Sequence, residues 1–266
     1  MPADVVVMVH PGALPATSYA GLAEALDAEL LVIDLERIPA YREMMLCDGG
    51  QDVSVARLAR YVVDRLVPAR SWLMAGWSLG GVVAYAATAS LPDHQLPRHL
   101  VVLDSIAPVP EHRRDASDFT PEVLLTWFAG YLAAKRGGRL ELPAGVLRGR
   151  DIGTGLEVVL REAIRVGLVW PDVSVAGLRK VFDVYLAGLF RNVDLTAAYQ
   201  AEPARVPMTL VRPQAGLLTT PGALGWQRLA STLSVTRCPG DHYSMLRESS
   251  VIAGVIRDRL ALACSS

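Results

Sequence analysis

Lysine is almost missing from this chain of 266 residues: of 26 basic side chains only Lys135 and Lys180 are lysines. Net charge is nearly missing too, because 27 acidic residues leave a formal balance of −1. A chain so balanced carries neither the electrostatic footprint of a nucleic-acid binder nor a basic patch for anionic lipid. Cysteine is scarce and scattered. Cys47, Cys238 and Cys264 form neither a disulfide framework nor a zinc-ligand spacing, so a reducing compartment and no metal are expected. No basic stretch precedes the short apolar run Val5–Val9, which argues against a secretory signal and for a cytoplasmic protein. Ser71 to Pro92 is 22 residues without a charge, enough to span a bilayer, but Gly76, Gly80 and Gly81 beside Ser78 fit a buried strand–turn–helix better. One further absence bears on chemistry: no Asp or Glu occurs from Pro203 to Gly240.

The 52% of hydrophobic residues excludes disorder. Short apolar runs alternate with helix-length segments, the pattern of a mostly parallel sheet covered by helices. Strands are expected at Val5–Val9, Leu30–Leu35, Trp72–Gly76, Leu100–Leu103, Val206–Val211 and Leu233–Thr236. Helices are expected around Tyr19–Ala28, over Val53–Val67 with Val55, Leu58, Val62 and Leu66 on one face, over Leu79–Leu91, and near Val251–Leu262. Alternation stops from Pro108 to Pro203. Thr120-Pro121 reads as a helix start, followed by a stripe of Leu124, Leu125, Phe128, Tyr131 and Leu132. A wider stripe runs through Leu178, Val181, Phe182, Tyr185, Leu186, Leu189 and Phe190. Residues 1–266 thus read as one α/β domain of the α/β-hydrolase class, interrupted by a helical insertion of about 95 residues at 108–203.

Gly76-Trp77-Ser78-Leu79-Gly80-Gly81 carries the strongest signal. A serine between a strand end and a helix start is presented on a tight turn, with free N–H groups and the helix dipole beside it. Such a hydroxyl needs a base. His242, in Gly240-Asp241-His242-Tyr243, follows the last strand and is the candidate. His94 and His99 lie in a polar connector and are expected at the surface, and His112 belongs to an Arg-rich solvated run. The acid cannot come from the segment after Val206–Val211, where Gln214 stands in place of a carboxylate. Asp104, at the carboxyl end of Leu100–Leu103, is in a suitable place to orient His242. Asp241, adjacent to the base, is expected to shape the turn instead. Backbone N–H groups of Leu79 and of Ala13, in the early loop His10-Pro11-Gly12-Ala13, are the candidate oxyanion donors.

His10-Pro11-Gly12, Gly76–Gly81, Leu103-Asp104-Ser105 and Gly240-Asp241-His242-Tyr243-Ser244-Met245-Leu246 together resemble the thioesterase domains of nonribosomal peptide and polyketide synthases. The resemblance implies an acyl or peptidyl chain, delivered as a thioester on the phosphopantetheine arm of a carrier protein. Transfer to Ser78 and release by water or an internal nucleophile would follow, with the insertion as a lid. The chain itself then needs no cofactor, and its partners are a carrier protein and an acyl thioester. In that family chain-releasing domains place the acid as Asp104 is placed, whereas stand-alone editing members usually place it one strand later. The early loop, Gly12-Ala13-Leu14, departs from the multi-glycine form of relatives. A carboxylesterase, lactonase or acyltransferase acting on free small molecules is the alternative on the same fold.

Overall fold

The computed structural model describes residues 4–44, 53–66, 71–218 and 220–261. Cys47, Cys264 and the end of the helix expected over 53–67 lie outside them. In order, the chain forms β1 (Val5–His10), α1 (Ala20–Ala25), β2 (Glu29–Asp34), α2 (Pro39–Glu43), α3 (Val55–Val63), β3 (Trp72–Trp77), α4 (Leu79–Ser90) and β4 (Leu100–Leu103). Then come α5 (Pro121–Lys135), α6 (Ile152–Arg165), α7 (Val175–Ala198), β5 (Met208–Ala215), β6 (Leu233–Asp241) and α8 (Ser249–Ala261). Short 3₁₀ turns fill several connections.

Strand runs such as Val5–Val9 and Leu100–Leu103 lack alternation because helices cover both faces of the sheet. Strand order is β2-β1-β3-β4-β5-β6, and every pairing is parallel. The chain steps one way from β1 to β2 and the other way from β1 to β3. That reversal opens a crevice at the carboxyl ends of β1 and β3, where such sheets bind ligands. On α3, Val55, Leu58 and Val62 are buried as the periodicity requires, and Ser54 caps the helix by accepting from the Arg57 N–H. Nearly every side chain of α4 is buried, which accounts for the uncharged stretch from Ser71 to Pro92. No helix among the described residues is long and apolar enough to cross a membrane.

Contacts divide the chain into two units, Met1–Arg113 with Asn192–Ser266, and Arg114–Arg191. The second is helical. Thr120 caps α5 by accepting from the Val123 N–H, with Pro121 in the first turn, and Asp151 caps α6 through the Thr154 N–H. Its core is aromatic: the Phe128 ring meets Phe182 at 5.1 Å and Tyr185 at 5.5 Å, and Tyr131 meets Tyr185 at 4.9 Å. Val181, expected on the same stripe, is exposed.

Three sequence expectations need correction. β6 runs on past the expected end at Thr236 to Asp241. β5 continues past Val211 to Ala215, because β4 ends at Leu103 opposite Val211 and only β6 pairs with the extension. Pro213 is tolerated there, since beside the end of β4 no ladder bond is asked of it. His99 is not at the surface: its ring is buried, with Nε2 2.8 Å from Thr209 Oγ1. The same threonine oxygen accepts from Arg259 Nε of α8 at 3.0 Å.

Candidate active site

Ser78 occupies the turn between β3 and α4 with φ 55°, ψ −128°, a conformation that L-residues avoid. Two neighbours explain how it is held. The Ser78 N–H donates to Leu103 O of β4 at 3.0 Å, and the Gly81 N–H donates to Ser78 O at 3.0 Å. A Cβ on Gly80 would stand 2.2 Å from Val9 O, and one on Gly76 2.2 Å from Gly80 O. Strand and helix meet too closely for any side chain at either position. Because Ser78 precedes the first helical turn, the Leu79 N–H has no acceptor among the described residues.

Asp104 and His242 are brought into contact although 138 residues separate them. His242 Nδ1 lies 2.8 Å from Asp104 Oδ2, with both side chains buried. With a carboxylate as acceptor, Nδ1 carries the proton and Nε2 is left as the basic nitrogen. Oδ2 also accepts from the Leu217 N–H at 3.3 Å. Asp104 has φ 39°, and its N–H donates to Val211 O at 2.8 Å. Asp241 turns away from the imidazole: its Oδ1 accepts from the N–H groups of Tyr243 and Ser244, each at 2.8 Å, and so shapes the loop that presents His242.

Trp77 joins the parts. Its indole N–H donates to His242 O at 3.0 Å, its ring centroid is 5.0 Å from that of His242, and it also stacks on His10 at 6.0 Å. His10 Nε2 donates to Leu14 O at 2.7 Å, leaving Nδ1 to accept from Tyr19 Oη at 3.1 Å. Burial lowers the pKa of this ring, consistent with a neutral, structural histidine. It ties the ends of the early loop together, and Tyr41 Oη adds a hydrogen bond to Pro11 O at 2.8 Å.

Ser78 Oγ makes no hydrogen bond to His242 in this structure. Catalytic hydrogen bonds are often long before substrate arrives. Of the two candidate oxyanion donors, the Leu79 N–H is unengaged, whereas the Ala13 N–H donates to Glu36 Oε1 at 3.3 Å. Ala13 has φ 68° and is the centre of a tight turn closed by Leu14 N–H to Gly12 O at 2.9 Å. Four non-glycine residues among those described have positive φ, and three of them are Ala13, Ser78 and Asp104. Backbone strain of this kind gathers where a site demands it. Sequence reasoning missed Glu36, which reaches the loop only because β2 pairs with β1 and brings Asp34 beside His10. No cluster of His, Cys, Asp and Glu suited to a metal occurs among the described residues.

Residues 5–133 match the family model described as "Thioesterase domain". No curated protein matches the chain. Among solved structures it is similar to a four-domain nonribosomal peptide synthetase bound to AMP and glycine, with 27% identity over 96% of this chain and a TM-score of 0.63. It spans only 19% of that protein's length. The NocB thioesterase domain, in covalent complex with a fluorophosphonate nocardicin G analog, is 24% identical over 97% of this chain and 94% of its own (TM-score 0.57). YbtT, a type II thioesterase from the yersiniabactin pathway, shares 16% identity over 98% and 94% (TM-score 0.61). The resemblance carried by the motifs is borne out, and the fold is that of these thioesterases.

Proposed function

We propose that this protein releases an acyl, polyketide or peptidyl chain from the phosphopantetheine thioester of a carrier protein, through an acyl-enzyme on Ser78. The supporting observation is the buried Asp104–His242 pair, locked through Trp77 to the strained turn that carries Ser78. Ser78 Oγ attacks the thioester carbonyl while His242 Nε2 takes its proton. Asp104 keeps the imidazole in the productive tautomer and stabilises the imidazolium. The developing oxyanion is received by the Leu79 N–H, and by the Ala13 N–H once Glu36 lets it go. Collapse breaks the C–S bond, and His242 returns the proton to the departing thiol. Water or a hydroxyl or amine of the acyl chain, deprotonated by His242, then attacks the ester and regenerates Ser78.

The segment 108–203 serves as the lid in this reading. It leaves the sheet just after Asp104, at the carboxyl edge where Ser78 lies. The position of Asp104 after β4 favours a chain-releasing enzyme over an editing one. Mass spectrometry of the intact protein with acyl-pantetheine thioesters of graded length tests this. A mass increase of the acyl group is expected on the wild type and none on Ser78→Ala. Acylation of the alanine variant at the wild-type rate, or turnover of oxygen esters alone, overturns the reading.

A further inference from the structure

Arg212 is a buried cation outside the hydrogen-bonded pair just described. It is 2% exposed, sits on β5 and makes no hydrogen bond to any carboxylate among the described residues. Its guanidinium donates instead to three main-chain carbonyls of the segment that follows β5: Leu218 O at 2.7 Å, Gly222 O at 2.8 Å and Thr220 O at 2.9 Å. Burying a guanidinium to hold a surface segment is costly, so the position of that segment must matter. What the segment touches is Asp104. The Leu217 N–H donates to Oδ2, the oxygen that also receives His242 Nδ1–H, and a Cβ on Gly216 would stand 2.8 Å from Oδ1. A second route runs through the strand, because Val211, the residue before Arg212, accepts the Asp104 N–H and fixes its unusual φ. Arg212 and Asp104 also attract each other through space.

We propose that Arg212 is a positioning residue for Asp104: it pins the segment after β5 so that Leu217 and Gly216 close over the carboxylate and hold it on His242. The stretch that bears no acid of its own thereby becomes the support for the acid on β4. A lysine cannot replace the arginine, since a single ammonium lacks the planar fork that reaches three carbonyls at once. This inference rests on the proposed catalytic role of Asp104, but its geometry can be tested without substrate.

The imidazole Nδ1–H resonance of the Asp104–His242 hydrogen bond, recorded by proton NMR, reads the positioning directly. Arg212→Lys and Arg212→Ala are expected to shift or broaden it and to lower kcat on an acyl-pantetheine thioester by about 10- to 100-fold, with KM little changed. Low concentrations of guanidinium should restore part of both signals to Arg212→Ala and nothing to the lysine variant. Leu217→Pro removes the N–H that meets Oδ2 and should reproduce the spectral change, with no further loss in the double variant; it carries the test if the arginine variants fail to fold. An unaltered resonance in folded Arg212→Ala, or in Leu217→Pro, overturns the inference. A wild type that shows the resonance yet turns over no thioester would sink the functional proposal and leave this one standing.

Discussion

As candidates, Ser78, Asp104 and His242 are legible one by one because each stands where a strand ends. In a parallel sheet, strand ends at the same edge converge whatever lies between them in sequence. Exclusion narrows the choice of candidate acid, since the segment from Pro203 to Gly240 offers no carboxylate. If Asp104 orients His242, Asp104→Asn should keep the fold but favour the wrong tautomer, with a loss of up to about 10⁴-fold in turnover. Asp241→Asn should cost far less, because that carboxylate accepts from Tyr243 and Ser244 and does not reach the imidazole. Steady-state rates of both variants on one thioester, with circular dichroism as a check, decide the matter. A nearly normal Asp104→Asn beside an inactive Asp241→Asn would reverse the assignment. Glu36 was not legible, because its contact with Ala13 depends on the register between β1 and β2. If the Ala13 N–H serves the oxyanion, Glu36→Ala should raise kcat/KM by up to about fivefold, the worth of one exposed hydrogen bond of about 1 kcal/mol. A fall in kcat/KM would mean that Glu36 holds the loop in its working shape.

Elements were read best where hydrophobic pattern alone decides, as in β4, whose four residues are all buried. They were read less well where pairing decides. β5 outruns its apolar stretch because its last residues pair only with β6. His99 was misplaced for a related reason: its polar neighbours hide the fact that it opens into Thr209 of β5 and, through that threonine, Arg259 of α8. Burial, reinforced by Arg259, lowers its pKa to about 4 from an ordinary value of 6.5. The folded state therefore binds this proton less readily than the unfolded chain does. Stability from this group is fully present above pH 6.5, falls as the pH drops through the interval towards 4, and falls no further below it. Urea unfolding at pH 7.5 and pH 5 should show a lower midpoint in acid. His99→Gln should reduce that dependence and leave in place the contribution of His10, whose pKa is lowered in the same direction. An equal acid sensitivity in the glutamine variant would remove His99 from the account.

At the scale of the whole molecule, the sequence marked the break in alternation from Pro108 to Pro203 but could not say how the helices inside it are packed. Contacts draw the helical unit as Arg114–Arg191, and its interior is built from its own side chains. Phe182 is fully buried there, edge-on to Phe128 and near Tyr185, rings donated by α5 and α7. The sheet unit has a separate core of Val, Leu and Ala from β1, β3, β4, α3 and α4. Two cores permit two opening events with different free energies. Phe182→Ala removes a ring from one of them and should cost that unit about 3–5 kcal/mol. Amide exchange in α5, α6 and the first turns of α7 should then quicken strongly, while β3, β4 and β5 keep their protection. In the wild type the helical unit should already exchange faster than the sheet, as a lid that opens for substrate requires. Should Phe182→Ala instead unprotect helices and sheet alike, the chain opens as one cooperative unit and segment 108–203 does not move independently as a lid.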